Sequence, residues 1–595
     1  MTPLLWFAGV LYLLGVCLLF LYGINSALLA FLYSRHKAGA LRDDRERISR
    51  YWENGNRDRL PPVTVQLPIY NERYVVERLI DATARLDYPR HLLEIQVLDD
   101  STDDTAGLAA AKVAEHRAAG LDIVHVRRSN REGFKGGALQ EGLRRARGEF
   151  VAIFDADFVP PPNFIMDTLP FFQQDDRLGA VQGRWGHINR DYSPLTAAQA
   201  IGIDGHFGIE QPARAWSNLF MNFNGTAGIW RSSAIIDAGG WQSDTLTEDL
   251  DLSYRAQLAG WRMKFLPQLL CPAEIPVQLA GFKSQQHRWA KGSIQTARKL
   301  LPRVVRSPAS AFAKYQAFLH MTHYLVHPLM LMVIVATAPL LWWDWLLPGW
   351  RHLWAPLTFL SLATFGPSSL YYYSQRELYP DWWRRFRAMP FLMLLGTGIA
   401  VNNTKAVFEG LFGRDQRFVR TPKYRIEKQA DGWVGKEYRL PLRWTALVEL
   451  GLFLYSGYGL WLAIRKGTYL IAPFITLYTM GLGYVAALGL WQEIQGFGPS
   501  PSQLQTRGID GGSSGSEPPQ DDGGGLVEIP CPRAIDVPPQ AGGIEKDRVE
   551  AGGARAEDID GVEVADIQRL PGSDPGAVQG HKEDPGVRLL HADHP

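Results

Sequence analysis

Cysteine is scarce in this 595-residue chain. Cys17, Cys271 and Cys531 stand far apart and form neither a disulfide framework nor a CxxC metal pattern. Net charge is nearly absent too. Sixty-two Lys and Arg against 61 Asp and Glu leave a formal +1, which gives no case for a nucleic-acid partner. No GxGxxG follows the first strand-like run, which argues against a dinucleotide-binding dehydrogenase. The first apolar run has no basic segment before it and no evident small-residue cleavage site, so it reads as a retained anchor.

The apolar residues themselves are gathered in blocks. Residues 4–33 are almost uncharged and longer than the roughly 20 residues a spanning helix needs. Arg35, His36, Lys37 and Arg42 follow at once, and the positive-inside rule then puts the next domain in the cytosol. Further spans are predicted at 318–343, 353–373, 444–464 and 469–491. Residues 381–413 begin with Trp382, Trp383, Arg384, Arg385 and Arg387 and fit interfacial helices better than a span. On that reading 414–443 stays with the cytosolic domain; if 389–411 crossed, that loop would move outside. Arg465 and Lys466, placed outside, are a mild violation of the charge rule. The chain divides into an anchor (1–34), a linker (35–61), a cytosolic domain (62–302), a membrane and interfacial block (303–492) and a tail (493–595). The tail is rich in Gly, Pro, Asp and Ser and reads as disordered.

Within the cytosolic domain, short apolar runs at 63–67, 94–98, 123–126 and 150–154 alternate with helical patterns at 75–85, 104–119 and 137–146. Such alternation predicts an α/β unit, a parallel sheet with helices on both faces. Ligands of these sheets sit outside the carboxyl ends of the strands. The polar groups fall there: Tyr70-Asn71-Glu72 after the first strand, Asp99-Asp100 after the second, Asp155-Ala156-Asp157 after the fourth.

Two carboxylates flanking a small residue suit Mg2+ or Mn2+, hard cations held by one or two carboxylates plus substrate phosphates. The ion would stabilise charge on a departing nucleoside diphosphate. Asp100 reads either as a turn residue or as a nucleotide contact facing the same crevice. Lys135 lies in Gly133-Phe134-Lys135-Gly136-Gly137, a glycine-rich loop before a helix, where close backbone approach and the helix N-terminus favour anions. Thr247-Glu248-Asp249 opens a helix with Leu250, Tyr254 and Leu258 on one face. Thr247 as N-cap with acids in the first turn is ordinary capping, and the same geometry suits a catalytic base. Gln285-Gln286-His287-Arg288-Trp289 reads equally as an interfacial helix with a Trp anchor or as a site where Arg288 meets a diphosphate and Trp289 stacks on a sugar.

With Asp100, the DAD, the TED and the QxxRW in this order, the chain resembles the processive, inverting family 2 glycosyltransferases of the cellulose synthase superfamily. It looks most like the cellulose-synthase-like glucomannan and xyloglucan-backbone enzymes. Residues 181–185 (VQGRW), 223–231 (FNGTAGIWR) and 239–241 (GGW) look like that subgroup. The resemblance implies a GT-A fold. It casts Asp249 as general base, Asp155 and Asp157 as metal and diphosphate contacts, and Tyr70, Glu72, Asp100, Lys135 and Arg288 as the donor side. Asn224, Gly225, Thr226, Glu248, Gln285 and Trp289 would face the acceptor. Residues 418–423 (FVRTPK) look like the FxVTxK gating loop, with Arg420 in place of the usual valine and Thr421 and Lys423 reaching the nucleotide. Asn224 stands where cellulose synthases usually carry a cysteine. No PilZ-like signature points to cyclic-di-GMP control.

The implied partners are a nucleotide sugar (UDP-glucose or GDP-mannose), a polysaccharide acceptor and the lipid bilayer, with room for an oligomer or accessory subunits. The implied location is a multi-pass protein of the cell membrane if the source is bacterial. A non-processive transferase acting on a lipid acceptor is the alternative. His320, His323 and His327 fall at i, i+3 and i+7, so they are expected to share one helical face at the entrance of a glycan channel.

Overall fold

A computed structural model describes residues 3–343, 366–413, 419–438, 440 and 444–496. The soluble part is built on a seven-stranded sheet in the order β3-β2-β1-β4-β6-β5-β7. The strands are β1 (Val63–Ile69), β2 (Leu93–Asp99), β3 (Asp122–Arg127), β4 (Phe150–Ile153), β5 (Leu178–His187), β6 (Gly228–Arg231) and β7 (Arg262–Ala273). The four strands predicted from apolar runs are the first four, mutually parallel, with β2 and β4 buried throughout and β1 buried at every residue but Pro68. β6 runs antiparallel between β4 and β5, so the sheet is mixed, not all-parallel as expected. Its four residues, Gly-Ile-Trp-Arg, are too short to show alternation.

Helices cover both faces because both faces are apolar. One core joins Val65, Ile95, Phe150 and Ala152 to Leu79, Ile80, Phe164 and Phe172. The other joins Val151, Ile153 and Trp230 to Leu139, Leu252 and Ala256. Burying a side chain of this size stabilises by about 1.5–3 kcal/mol, so the central strands hold the functional loops at their ends in place. Ile69 registers with Asp99, Gln66 with Ile153, and the Asp100 N–H donates to the Ile69 carbonyl at 3.1 Å.

Among the described residues, four helices are long and apolar enough to cross a membrane: Trp6–Glu53, Ala311–Trp343, Thr445–Arg465 and Ala472–Gln495. The predicted span at 353–373 lies largely outside the described residues; its end is the helix Gly366–Leu378. Of the segment expected as a linker, 35–61, residues 35–53 are instead a continuation of the first helix, which runs unbroken from Pro3 to Glu53. No proline interrupts it, and Asp44 pairs with Lys264 on β7 at 2.5 Å, tying the stem to the sheet.

Residues 382–412 form helices Trp382–Phe386, Met389–Gly398 and Ala400–Phe412, with a 46° bend between the last two stretches. Both ends of this bent unit touch the soluble domain. Tyr379, just before it, donates to Asp204 at 3.1 Å, and Glu409 pairs with His287 at 3.2 Å and Lys291 at 3.3 Å. The segment 419–438 that follows packs on the soluble domain. Lys466, awkward for the charge rule, donates to the Leu341 and Trp342 carbonyls, where a cation complements a helix C-terminus.

The histidine stripe is not a stripe. A 3-10 turn at His323–Leu325 separates the helices Ala311–Thr322 and Val326–Trp343, so the spacing of a continuous helix does not apply. His320 Nδ1 bonds the Tyr254 hydroxyl at 2.8 Å and His327 Nε2 the Asn403 amide at 2.9 Å; only His323 is exposed.

Candidate active site

The carboxyl ends of β1, β2 and β4 open on one cavity of about 180 Å³. Tyr70, Glu72, Asp100, Lys135, Asp155, Asp157, Asn224, Gly225, Glu248, Asp249, Gln285, Arg288, Trp289, Thr421 and Lys423 all line it. Thr226 does not. It is fully buried, and its hydroxyl accepts the Asp155 N–H at 2.8 Å, so it supports the DAD turn and does not face an acceptor. The adjoining Ala227 N–H donates to the Ile153 carbonyl at 2.9 Å and anchors this loop to β4.

Lys135 lies in the first turn of the helix Phe134–Arg145, behind the left-handed Gly133. Its ammonium is 2.6 Å from Asp155 Oδ1, 2.9 Å from the Gly225 carbonyl and 3.9 Å from Glu248 Oε1. Burial pulls its pKa down, but Asp155 and Glu248 outweigh that and raise it. Gly225 adopts φ 80°, and a Cβ there would sit 3.1 Å from Asp249 Oδ2 and 3.2 Å from the Lys135 ammonium. Only glycine lets this loop come so close to the acid.

Asp249 lies in the first turn of the helix Glu248–Leu258. Thr247 occupies the cap position without capping: its hydroxyl meets that of Thr296 at 3.2 Å. Asp249 Oδ1 instead accepts the Leu250 N–H at 2.8 Å. Burial, and then the neighbouring charge of Glu248, push the Asp249 carboxyl up to about 7, against the pull of Lys135. Burial likewise raises Glu248 and Asp155, with Lys135 opposing in both cases.

Asp100 is engaged through both oxygens by Arg128, whose Nε lies 2.9 Å from Oδ1. The Arg131 guanidinium stacks 3.3 Å over the Tyr70 ring. Lys423 reaches Asp157 at 2.5 Å and the Glu274 carbonyl at 2.6 Å, and Arg420 pairs with Glu72 at 3.0 Å. Burial raises Glu72 to about 7, opposed by Arg420. The loop is pinned by Tyr424, Ile426 and Trp433 packed on Val277, and by Arg78 donating to Glu427 at 2.9 Å. Trp185 stacks on Phe207 at 4.6 Å and lies 6.5 Å from Trp289, making an aromatic wall. Arg131 escapes a sequence reading because nothing local distinguishes it from other arginines, while Trp185 and Arg420 are legible only as members of the VQGRW and FVRTPK motifs.

Residues 61–292 match the family described as glycosyltransferase like family 2. Glucomannan 4-beta-mannosyltransferase 2 of Arabidopsis thaliana is 33% identical over 476 residues, covering 76% of this chain and 84% of that protein. The chain belongs to glycosyltransferase family 2. Glucomannan 4-beta-mannosyltransferase 1 of Oryza sativa subsp. japonica is 32% identical over 453 residues, 72% of this chain and 83% of that protein. A solved mannosyltransferase from Pyrobaculum calidifontis in complex with GDP-Man and Mn2+ covers 66% of this chain and 99% of its own, at 20% identity and a TM-score of 0.37. The cellulose-synthase-like resemblance read from the motifs stands, and the mixed sheet is a GT-A unit flanked by apolar helices. This family 2 glycosyltransferase is an enzyme and a multi-pass membrane protein.

Proposed function

We propose that this enzyme transfers a hexose, with inversion, from a nucleoside-diphosphate sugar to a growing β-glycan and passes the polymer through its own membrane block. One observation carries the reading: an acid pushed up to about 7, Asp249, opens on the same cavity as the paired carboxylates Asp155 and Asp157. A general base works best when its pKa lies near the working pH. In the step, the acceptor hydroxyl oxygen attacks the anomeric carbon and its proton passes to Asp249. The bond from that carbon to the diphosphate oxygen breaks, and Arg288 and Lys135 face the charge that leaves. Tyr70, Glu72, Asp100, Thr421 and Lys423 hold the donor; Asn224, Gly225, Glu248, Gln285 and Trp289 hold the acceptor end.

Asp155 and Asp157 would hold Mg2+ or Mn2+. The fit is supported by an all-oxygen pair, with 31% of the Asp155 side chain open to the cavity. The cation's chemistry would be to neutralise the diphosphate as it departs. The relatives named as mannosyltransferases favour GDP-mannose over UDP-glucose as donor. The basic residues after the first span favour a cytosolic catalytic domain, in the cell membrane if the source is bacterial.

The test is product size. Full-length protein in lipid vesicles, given radiolabelled GDP-mannose or UDP-glucose, should make an alkali-soluble or insoluble polymer that specific β-glycanases digest. A product limited to one sugar on a lipid would sink the polymer reading and leave the transferase.

A further inference from the structure

The acceptor loop is joined to a chain of hydrogen bonds whose direction can be read from its two ends. Gln211 Nε2 lies 2.6 Å from the Asn222 carbonyl, which can only accept, and 2.6 Å from Asn224 Oδ1. The carbonyl fixes the facing atom of Gln211 as its donor, so the Asn224 atom opposite is its oxygen. The Asn224 amide nitrogen then donates to His206 Nε2 at 3.2 Å. A ring nitrogen that accepts carries no proton, so the His206 proton sits on Nδ1, 3.0 Å from Glu210 Oε2. Glu210 Oε1 accepts from Arg214 Nε at 3.0 Å, and that arginine is 1% exposed. Burial opposes the charge on Glu210, but Arg214 and His206 overcome it and hold the carboxyl well below its usual range.

A π turn makes this chain reachable. His206–Glu210 interrupts the helix that runs from Pro194–Gly205 into Gln211–Trp216, and the Gln211 N–H donates to the His206 carbonyl. In an α-helix residues five apart diverge by about 140°. The wider turn stacks them instead, so His206 and Gln211 both reach Asn224. Such insertions occur frequently at functional sites. The Asn224 backbone is fixed separately, by its N–H donating to Gln182 Oε1 at 3.0 Å. Its side chain lines the catalytic cavity, and among the described residues its second amide hydrogen has no protein acceptor.

We propose that His206 is a positioning residue for the acceptor: its Nδ1-protonated ring, held by Glu210, orients the Asn224 amide so that an N–H points at an acceptor sugar hydroxyl oxygen. This rests on the reading of Asn224 as an acceptor contact. Asparagine at 206 keeps a donor near the Nδ1 position but loses the acceptor near Nε2; glutamine does the reverse.

The test uses full-length protein in lipid nanodiscs, the donor that supports turnover, and a soluble β-1,4-linked hexose oligosaccharide as acceptor. His206→Asn raises the acceptor KM about tenfold, the worth of one hydrogen bond, while the donor KM stays unchanged. His206→Gln recovers most of that loss. Asn224→Ala matches His206→Asn, and the double variant is no worse than either. Equal losses in His206→Asn and His206→Gln, or losses that multiply in the double variant, overturn the proposal while leaving the acceptor site in place. An unchanged acceptor KM in Asn224→Ala overturns both.

Discussion

At the scale of single residues, the site sets two carboxylate systems apart by environment. Asp249 shares burial with Glu248, and two adjacent buried acids resist being charged together. A base must be ionised to act, so turnover should rise with pH through about 7 and level off above it, the limb belonging to the Glu248–Asp249 pair. Asp249→Asn should cost roughly 10²–10⁴ in turnover and keep donor binding. Initial rates and donor affinity across the neutral range check this; near-normal turnover would remove Asp249 from the role. Asp155 and Asp157 lie closer to ammonium groups, those of Lys135 and Lys423 at 2.6 and 2.5 Å, than Glu248 does to Lys135 at 3.9 Å. A divalent ion would have to share or replace those partners. Chelation should abolish transfer and added Mg2+ or Mn2+ restore it; full activity in chelator would mean the lysines and Arg288 suffice.

Elements decide how such residues meet. The segment 419–438 has no helix or strand, yet Thr421 and Lys423 are buried at the cavity because Tyr424, Ile426 and Trp433 dock on Val277. Apolar docking beneath polar tips is what lets a loop hold a precise position and still release. Trp433→Ala should therefore raise the donor KM about tenfold, as binding must then order the loop, with the acceptor KM little changed. Steady-state kinetics with each substrate varied decide it, and an unchanged donor KM would show that the loop is placed by Arg420 and Lys423 alone. The histidines teach a related lesson. Their spacing was legible, but the 3-10 turn at 323–325 sends His320 to Tyr254 and His327 to Asn403.

At the scale of the whole molecule, the catalytic domain and the membrane block are tied by buried charge. Lys283, two residues before Gln285, bonds both oxygens of Glu449 at 2.7 Å, and Glu449 lies in the apolar helix Thr445–Arg465. Asn402 donates to the Lys283 carbonyl at 2.9 Å and Gln492 accepts the Leu279 N–H at 2.7 Å. Removing one partner strands the other charge away from water, which typically costs about 3–5 kcal/mol. Lys283→Met should lower the unfolding temperature in detergent markedly, and Lys283→Met with Glu449→Leu should recover much of it. Additive losses would mean the pair contributes little.

Much of this protein was written locally. Apolar runs named four parallel strands and four of the five expected spans, since burial on both faces or in lipid demands continuous apolar residues. The order of the acidic and QxxRW motifs named the family, and the acids after β1, β2 and β4 share one cavity because strand ends of an α/β sheet converge on one crevice. What the sequence could not carry were contacts between distant residues. Lys423 and Asp157 are 266 positions apart, and the Thr226 hydroxyl turns inward only because β4 and β6 pair antiparallel around it. The hydrogen-bond direction at Asn224 needs a π turn and a loop folded against each other. Local periodicity reports which face of an element is apolar; only packing decides which polar groups that face brings together.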